Sequence, residues 1–268
     1  MPEKGLARYS FLISNIKNYN EYLIDKIVRR KRSLVFTTKP NAIQFEVPRS
    51  LYQVFKEIFM VDVYTIKKLI TTIPAKPVII DIGANAGFFD VLILSKNKEA
   101  KIYAYEPIST NVNRFRKIVT DNHLEENVII FQKAVTGLPM DGLDLFMEDT
   151  DDNQVVASIF DGFNKSNTKK IHIPSVTLQE IIDDINQPTI DLLKMDCEGS
   201  EYDIMYNTSS DYIRRIRHME IEVHDVNDDK NNITYFNSFL LKLGYRTYFT
   251  PINDFCYALQ ATLDDQQP

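Results

Sequence analysis

Through the middle of the chain, short apolar runs alternate with longer stretches in which apolar residues recur at helical spacing. Short runs of apolar, mostly β-branched or aromatic residues fit a pleated sheet better than a helix. Four of them predict buried strands: residues 78–82, 101–105, 128–131 and 190–195. Between these runs, residues 110–122 and 178–185 repeat apolar positions at spacings of three and four, which predicts helices. The alternation predicts an α/β fold with a parallel sheet and right-handed crossovers.

The C-terminal part departs from this alternation. Residues 218–223 predict one more strand, and residues 233–243 predict a helix. Two further apolar runs, 245–250 and 256–262, follow on either side of a short turn. They predict an antiparallel hairpin at the edge of the sheet.

The N-terminal part has a different pattern. Apolar residues from Leu12 to Ile27 recur at helical spacings and predict one amphipathic helix, followed by a short hairpin around Pro40. We therefore predict a helical and hairpin extension over residues 1–74 and a main domain over residues 75–268.

The strand at 78–82 is followed by a turn of residues that are small or tolerate left-handed backbone angles: Gly83, Ala84, Asn85, Ala86 and Gly87. A helix is predicted to follow, with Phe88 at its start. A strand, a thin turn and a helix direct free backbone N–H groups and the positive end of a helix dipole at a ligand. This arrangement predicts a nucleotide-like ligand.

Asp81 indicates which ligand this is. The turn lacks the three-glycine spacing of dinucleotide sites, and no phosphate-binding Gly-Lys-Ser/Thr follows it. A carboxylate two residues before Gly83 would repel a pyrophosphate and attract a cation. S-adenosylmethionine carries a sulfonium and an ammonium and no phosphate, so we predict it as the cofactor.

Further candidate contacts to this cofactor follow the next two strands. Glu106 ends the second strand, where an acidic side chain accepts hydrogen bonds from ribose hydroxyls. Pro107 follows it, and Asn111 is near enough in sequence to assist. After the third strand, Ala134 and Val135 occupy a usual place for adenine contacts.

Carboxylates also gather where the strand at 190–195 ends. Asp196, Glu198 and Glu201 lie within six residues, and ligands of open α/β sheets bind at the carboxyl ends of strands. Asp196 and Glu198 are therefore candidate catalytic residues, and Asp196 is also a candidate contact for the cofactor.

His224 is the third candidate catalytic residue. Strand alternation puts Glu220, Glu222 and His224 on one face of the strand at 218–223. His224 lies at the carboxyl end of this strand. A histidine there suits a general base, a metal ligand or a hydrogen-bonded residue that holds a loop. Oxygen ligands from Asp196, Glu198 and Glu222 could join it around a divalent ion, but no spacing rule requires this, so no metal ligand is predicted.

Composition argues against several kinds of binding partner and cellular location. A net charge of −6 argues against a nucleic-acid partner, because phosphate binding needs clustered Lys and Arg. The N-terminus lacks the apolar core of a secretory signal, and no apolar run is long enough for a membrane span, so we expect a cytoplasmic protein. The two cysteines, Cys197 and Cys256, show no metal spacing and give no disulfide framework.

Four motifs, in this order, resemble the FkbM family of S-adenosylmethionine-dependent methyltransferases. They are Val-Ile-Ile-Asp-Ile-Gly-Ala-Asn-Ala-Gly-Phe-Phe, Tyr-Glu-Pro, Lys-Met-Asp-Cys-Glu-Gly-Ser-Glu-Tyr and Glu-Ile-Glu-Val-His, and the resemblance covers residues 42–249. It implies a Rossmann-like class I methyltransferase fold, a seven-stranded, mostly parallel sheet with a reversed C-terminal hairpin. It also implies that five residues of the first two motifs hold the cofactor: Asp81, Gly83, Asn85, Gly87 and Glu106. Asp196 would lie near the methionine end of the cofactor.

The resemblance implies O-methylation of a hydroxyl on a sugar, a polyketide or another small metabolite. An NAD(P)-dependent oxidoreductase and a methyltransferase-like domain without catalysis remain the alternatives. We expect residues 144–167 and the N-terminal helices to form the pocket for the acceptor. The amphipathic N-terminal helix is also compatible with a homodimer.

Overall fold

The computed structural model describes residues 3, 5–28, 33–148, 167–227 and 229–264. Its strands are β1 (Leu34–Thr37), β2 (Gln44–Val47), β3 (Val78–Ile82), β4 (Lys101–Tyr105), β5 (Val128–Phe131), β6 (Ala134–Thr136), β7 (Gly142–Glu148), β8 (Asn167–Thr177), β9 (Ile190–Met195), β10 (Ile216–His224), β11 (Tyr245–Pro251) and β12 (Cys256–Leu263). Its α-helices are α1 (Ala7–Asn15), α2 (Asn20–Val28), α3 (Tyr52–Lys56), α4 (Ile66–Leu69), α5 (Phe88–Lys96), α6 (Ser109–Asp121), α7 (Leu178–Ile185), α8 (Glu201–Asn207), α9 (Ser210–Ile213) and α10 (Ile233–Lys242). A 3₁₀ turn precedes α3, and a π-helical turn over Glu57–Val61 follows it.

Seven strands form the central sheet, in the order β11-β12-β10-β9-β3-β4-β5. The strands from β10 to β5 are parallel, and β12 runs antiparallel to both β10 and β11. Buried, β-branched strands separated by helices thus formed the predicted parallel sheet, and the last two strands formed the predicted reversed hairpin. The predicted fold class, a Rossmann-like α/β fold, is confirmed.

The register of the sheet aligns the ends of its central strands. Ile82 at the end of β3 lies opposite Tyr105 of β4 on one side and Met195 of β9 on the other. The residues that follow these strands therefore emerge side by side at one edge of the sheet, where open α/β folds bind their ligands.

Apolar side chains fill both faces of this sheet. On one face, α5 packs with the N-terminal segments, and Phe36, Phe45 and Phe55 contribute to a cluster of stacked and tilted rings. On the other face, α7, α8 and α10 pack over β9 and β10. A capping box between Thr177 and Glu180 begins α7 as predicted.

The single amphipathic helix predicted at the N-terminus is wrong. The structure has two helices, α1 and α2, with an extended residue, Ile16, after α1. Ile16 forms an isolated bridge to Thr38, and the backbone N–H of Lys17 donates to the carbonyl of Thr37 at 2.7 Å. Pairing with the predicted hairpin, which forms as β1 and β2, therefore interrupts the helix.

A second, smaller sheet has the order β6-β8-β7. Residues 149–166, between β7 and β8 and most of the predicted acceptor region, lie outside the described part of the chain. Among the described residues, no helix combines the length and the apolar character needed to cross a bilayer.

Candidate active site

The turn after β3 has the unusual backbone that its small residues predicted. Gly83, Asn85 and Gly87 have φ angles of 78°, 51° and 77°. A Cβ atom on Gly83 would lie 1.8 Å from the carbonyl oxygen of Asp196, and one on Gly87 would lie 2.2 Å from the ring of Phe115. Both glycines are therefore required for conformation and for space.

Glu106 fixes this turn through its carboxylate. One oxygen accepts a hydrogen bond from the backbone N–H of Asn85 at 2.8 Å, and the other accepts from the N–H of Ile108 at 2.9 Å and the amide of Asn111 at 3.4 Å. Burial raises the pKa of Glu106 to about 6, although these hydrogen bonds favour the ionised form. A carboxylate has about four acceptor positions, so capacity for ligand hydroxyls remains.

A cleft lies over the turn, and we call it the Glu106 cleft. Eight of the residues predicted to contact the cofactor line it: Gly83, Asn85, Glu106, Pro107, Asn111, Ala134, Val135 and Asp196. Four others lie outside its lining: Asp81, Ala84, Gly87 and Phe88. Gly87 is the N-cap of α5, and Phe88, its first residue, is buried in the core.

Asp81 has a partner that the sequence analysis did not identify. Its carboxylate is fully buried and lies 3.0 Å from the ammonium of Lys194, which also donates to the carbonyl of Gly83 at 2.7 Å. Burial lowers the pKa of Lys194, but the charges of Asp81 and Asp196 outweigh it and raise the pKa. Burial and the charge of Asp81 raise the pKa of neighbouring Asp90 well above its usual value, which favours its neutral form. The structure thus pairs Asp81 with a cation of the protein itself.

Asp196 lies where two clefts meet. It lines the Glu106 cleft, and it also lines a second cleft, the Tyr64 cleft, with Glu57, Tyr64 and Glu222 among the other lining residues. The phenol of Tyr64 donates to the Asp196 carboxylate at 2.9 Å. A ligand in one cleft would therefore approach a ligand in the other beside this carboxylate.

Polar side chains around His224 form a cluster that we call the His224 cluster. Its members are Glu198, Glu201, Glu222, His224 and Cys256. The Nδ1 atom of His224 lies 3.0 Å from Glu201, and its Nε2 atom lies 3.5 Å from Glu198 and 3.6 Å from Glu222. The thiol of Cys256 donates to Glu222 at 3.1 Å. The structure thus brings the three predicted catalytic residues together, because Asp196, Glu198 and His224 have donor atoms within 4.8 Å of one another.

Local backbone geometry builds this cluster. Glu198 has a φ angle of 53° and Gly199 one of 98°, so the chain turns sharply after β9. Glu201 begins α8 and is fully buried, and the phenol of Tyr202 donates to the carbonyl of His224 at 2.8 Å. These contacts join the ends of β9 and β10.

The electrostatics of the cluster are coupled. Burial alone would lower the pKa of His224, but hydrogen bonds to Cys256 and Glu201 and their charges raise it to about 12. Burial and the charge of Asp196 raise the pKa of Glu222 to about 8, and burial also raises that of Glu198. The positive charge of the His224 ring is therefore favoured beside Glu201, whereas burial favours the neutral forms of Glu198 and Glu222.

Three contacts of this site are absent from the sequence analysis. Tyr64 is a core aromatic whose phenol also reaches Asp196, Lys194 lies within an apolar run, and Cys256 donates to Glu222. Only Lys194 gave a usable signal, since a lysine inside a buried strand requires a buried acid nearby. The other two contacts depend on long-range pairing, such as the register that sets Cys256 opposite His224.

Residues 81–247, more than half of the chain, match the methyltransferase FkbM domain. The chain is also 22% identical over 207 residues to the AMB antimetabolite synthetase AmbE of Pseudomonas aeruginosa. That match covers 65% of this chain and 10% of AmbE, so the chain spans about a tenth of the length of this relative.

Solved structures similar to this chain include several methyltransferases, two of which serve as examples. The precorrin-6y C5,15-methyltransferase of Geobacter metallireducens aligns with a TM-score of 0.46 and 14% identity, over 76% of this chain and 89% of that one. M. capricolum TrmK in complex with S-adenosyl-homocysteine aligns with a TM-score of 0.44 and 13% identity, over 76% of this chain and 71% of that one. The strand order described above carries the fold assignment, and the matched domain carries the family: the chain belongs to the FkbM family of methyltransferases, whose cofactor is S-adenosylmethionine.

Proposed function

We propose that this methyltransferase transfers the methyl group of S-adenosylmethionine to a hydroxyl of a small molecule. One observation carries the proposal. Asp196, Gly83 and Asn85 line both the Glu106 cleft and the Tyr64 cleft. A methyl donor in the first cleft would therefore face an acceptor in the second, with a carboxylate between them.

Methyl transfer is an in-line displacement. The acceptor oxygen forms a bond to the methyl carbon while the carbon–sulfur bond breaks, and the sulfonium becomes a neutral thioether. The protein's part is to align oxygen, carbon and sulfur and to receive the hydroxyl proton as charge develops. We assign that proton to the Asp196 carboxylate.

The other two candidate catalytic residues suit different roles. Both ring nitrogens of His224 face carboxylates, Nδ1 that of Glu201 and Nε2 those of Glu198 and Glu222, and His224 lines neither of the two clefts. We propose that His224 holds the cluster together and that Glu198, which lines both clefts, contacts the acceptor.

The lining of the Tyr64 cleft supports a polar acceptor. Gln53, Glu57 and Tyr64 offer hydrogen-bonding groups beside apolar Val54 and Ile58. Such a surface suits a sugar or polyketide hydroxyl, with a polar face and an apolar face on one ligand. All five residues belong to the segment 1–74, so we propose that this extension forms the acceptor wall of the 75–268 methyltransferase domain.

Calorimetric titration with S-adenosylhomocysteine tests the cofactor part, and NAD serves as the comparison ligand. We expect micromolar binding of S-adenosylhomocysteine, weakened by Glu106→Ala, and no binding of NAD. Methyl transfer from labelled S-adenosylmethionine to a panel of sugars, polyketides and matched amines then tests the acceptor part. Binding without transfer to any hydroxyl would favour the non-catalytic alternative, whereas transfer to amines alone would replace the proposed acceptor class.

We also propose that α1 and α2 take part in a homodimer. Apolar side chains on and beside these helices are exposed, with Leu6 86%, Ile27 82% and Val28 57% accessible. Sedimentation of the wild type and of an Ile27→Glu variant tests this. A dimer that Ile27→Glu converts to monomer supports it, and a monomeric wild type contradicts it.

A further inference from the structure

We propose that Glu222, His224 and Cys256 bind a divalent transition-metal ion such as Zn²⁺. Glu222 and His224 lie on β10, and Cys256 lies on the antiparallel neighbour β12, directly opposite His224. One donor atom from each of the three residues lies within 4.8 Å of the other two. Three protein ligands and one open position are the usual composition of a catalytic zinc site.

The distances between donors suit such an ion. Ligands about 2.0–2.2 Å from a tetrahedral Zn²⁺ stand roughly 3.4 Å from one another. The Nε2 atom of His224 lies 3.6 Å from the nearer oxygen of Glu222 and 3.5 Å from that of Glu198. The sulfur of Cys256 lies 3.1 Å from Glu222. Both separations from Nε2 are long for a hydrogen bond and close to those that a shared ion imposes.

His224 is already oriented as a metal ligand. Its Nδ1 atom lies 3.0 Å from Glu201, and the phenol of Tyr202 fixes its backbone carbonyl. Histidines that bind metals usually donate their other ring N–H to a carboxylate in this way. Glu201 is fully buried, and its second oxygen has no hydrogen-bond partner within the described part of the chain. Leaving one oxygen of a buried carboxylate without a hydrogen bond is costly.

Three carboxyl groups of the cluster share one histidine. Among the described residues, the ion pairs of Glu198, Glu201 and Glu222 are all with His224. A divalent ion would add positive charge beside these carboxyl groups. The mixture of nitrogen, sulfur and carboxylate donors favours Zn²⁺ or a similar ion over Mg²⁺, which prefers oxygen ligands alone.

The position of the cluster suggests what the ion does. Glu222 lines the Tyr64 cleft, and all three ligands line a further cleft of about 620 Å³. An ion here could bind the acceptor hydroxyl at its open position and lower the pKa of that hydroxyl before Asp196 takes the proton. This catalytic role rests on the proposed O-methyl transfer, but binding of the ion does not.

Metal binding is tested on the full chain after treatment with a chelator. We expect calorimetry to find one Zn²⁺ per chain, insensitive to millimolar Mg²⁺, and we expect Co²⁺ to show thiolate-to-metal charge-transfer absorption. Cys256→Ser should remove that absorption, and Glu222→Gln or His224→Gln should abolish stoichiometric binding. Glu201→Gln should weaken Zn²⁺ binding by roughly 10- to 100-fold, because it releases the orientation of His224.

Matched controls are available within the chain. His218→Gln changes another histidine of β10, and Cys197→Ser changes the other cysteine, and neither should alter the affinity for Zn²⁺. The proposal is overturned if wild-type protein binds no stoichiometric Zn²⁺. It is also overturned if the Co²⁺ spectrum lacks the thiolate band, or if the Glu222 and His224 variants, folded by circular dichroism, bind Zn²⁺ like the wild type.

Methyl transfer is then measured with and without Zn²⁺. Loss of transfer in the chelated protein and its recovery on adding Zn²⁺ supports the catalytic role. Stoichiometric binding with unchanged transfer overturns that role and leaves the metal site. S-adenosylhomocysteine titrated into the same samples reports separately on the proposed function.

Discussion

The two sides of the candidate active site are held together by different kinds of contact. On the cofactor side, Glu106 receives hydrogen bonds from the backbone of Asn85 and Ile108, all within a stretch of about 25 residues. On the acceptor side, Tyr64, Asp196, His224 and Cys256 come from distant segments and meet through their side chains. The first side is a local motif, whereas the second is an arrangement of charges that depends on the whole sheet.

This difference predicts that the two sides fail in different ways. A change on the acceptor side should remove chemistry and leave cofactor binding, and a change on the cofactor side should weaken binding. The buried pair of Asp81 and Lys194 lies between them, so its loss should destabilise both.

Asp196→Asn should lower the rate constant for methyl transfer by roughly 10²–10⁴-fold, because it removes the group that receives the proton. The affinity for S-adenosylhomocysteine should change by less than about tenfold, since Asp196 contributes only one edge of the Glu106 cleft. Single-turnover kinetics and calorimetry measure the two effects. Asp211→Asn, an exposed carboxylate, serves as the control. An equal loss in both quantities would contradict the division of roles.

Lys194→Met should lower the free energy of unfolding by about 3–5 kcal/mol, because it leaves the Asp81 carboxylate buried without its cation. Urea denaturation measures this loss. The double variant with Asp81→Leu should recover part of it, since an apolar pair of similar volume needs no compensating charge. If Lys194→Met unfolds like the wild type, the ion pair does not stabilise the fold.

Glu106→Gln should weaken the binding of S-adenosylhomocysteine by about 1.5–3 kcal/mol, or roughly 10- to 150-fold, because it replaces the charged carboxylate with a neutral amide, one of whose ends donates instead of accepting. Calorimetry measures the affinity, and Glu126→Gln is an exposed control. An unchanged affinity would show that the ribose hydroxyls do not reach this carboxylate.

The pKa of Glu106, about 6, adds a dependence on pH. If the ionised form binds, the affinity for S-adenosylhomocysteine should fall about tenfold between pH 7 and pH 5, and Glu106→Gln should remove that fall.

The contribution of Glu106 to folding stability should change in the opposite direction, rising as the pH falls. Between about pH 4.5 and 6 the folded state holds more protons on Glu106 than the unfolded state, so this group contributes stability that is lost as pH rises. Calorimetry and urea denaturation across this range test both signs.

Thr177→Ala should cost about 1 kcal/mol of stability, because it removes the side-chain cap of α7. The affinity for S-adenosylhomocysteine and the rate of methyl transfer should not change, since neither Thr177 nor Glu180 lines either cleft. Thr177→Ser keeps the hydroxyl and should restore stability. A change in either activity would show that the two sides respond to the packing of α7.

Local patterns predicted the backbone of the turn after β3 and placed Glu106 beside it. The strand at 78–82, the left-handed turn and the position of Glu106 follow from residue types and spacing within one stretch of chain. The same reasoning expected Asp81 to face the cofactor, because the buried lysine that pairs with it is more than a hundred residues away in sequence. Charge compensation between distant strands is set by sheet order, which local patterns do not contain.

The acceptor side was predicted only in part. The carboxylates of the 196–201 turn and the polar face of β10 indicated chemistry, and the structure brings them together. Cys256 and Tyr64 could not be assigned, because their contacts arise from the register of the C-terminal hairpin and from the packing of the N-terminal extension. The break between α1 and α2 has the same origin, since a bridge to Thr38 overrides helical periodicity.

Transfer of a ¹³C-labelled methyl group tests the proposed chemistry most directly. The protein is incubated with labelled S-adenosylmethionine and the acceptor found in the screen, and the product is examined by NMR. We predict a methyl resonance on oxygen for the wild type and its absence for Asp196→Asn under conditions where that variant still binds S-adenosylhomocysteine. A methyl group on nitrogen or carbon, or full transfer by Asp196→Asn, would contradict O-methylation with Asp196 as the base.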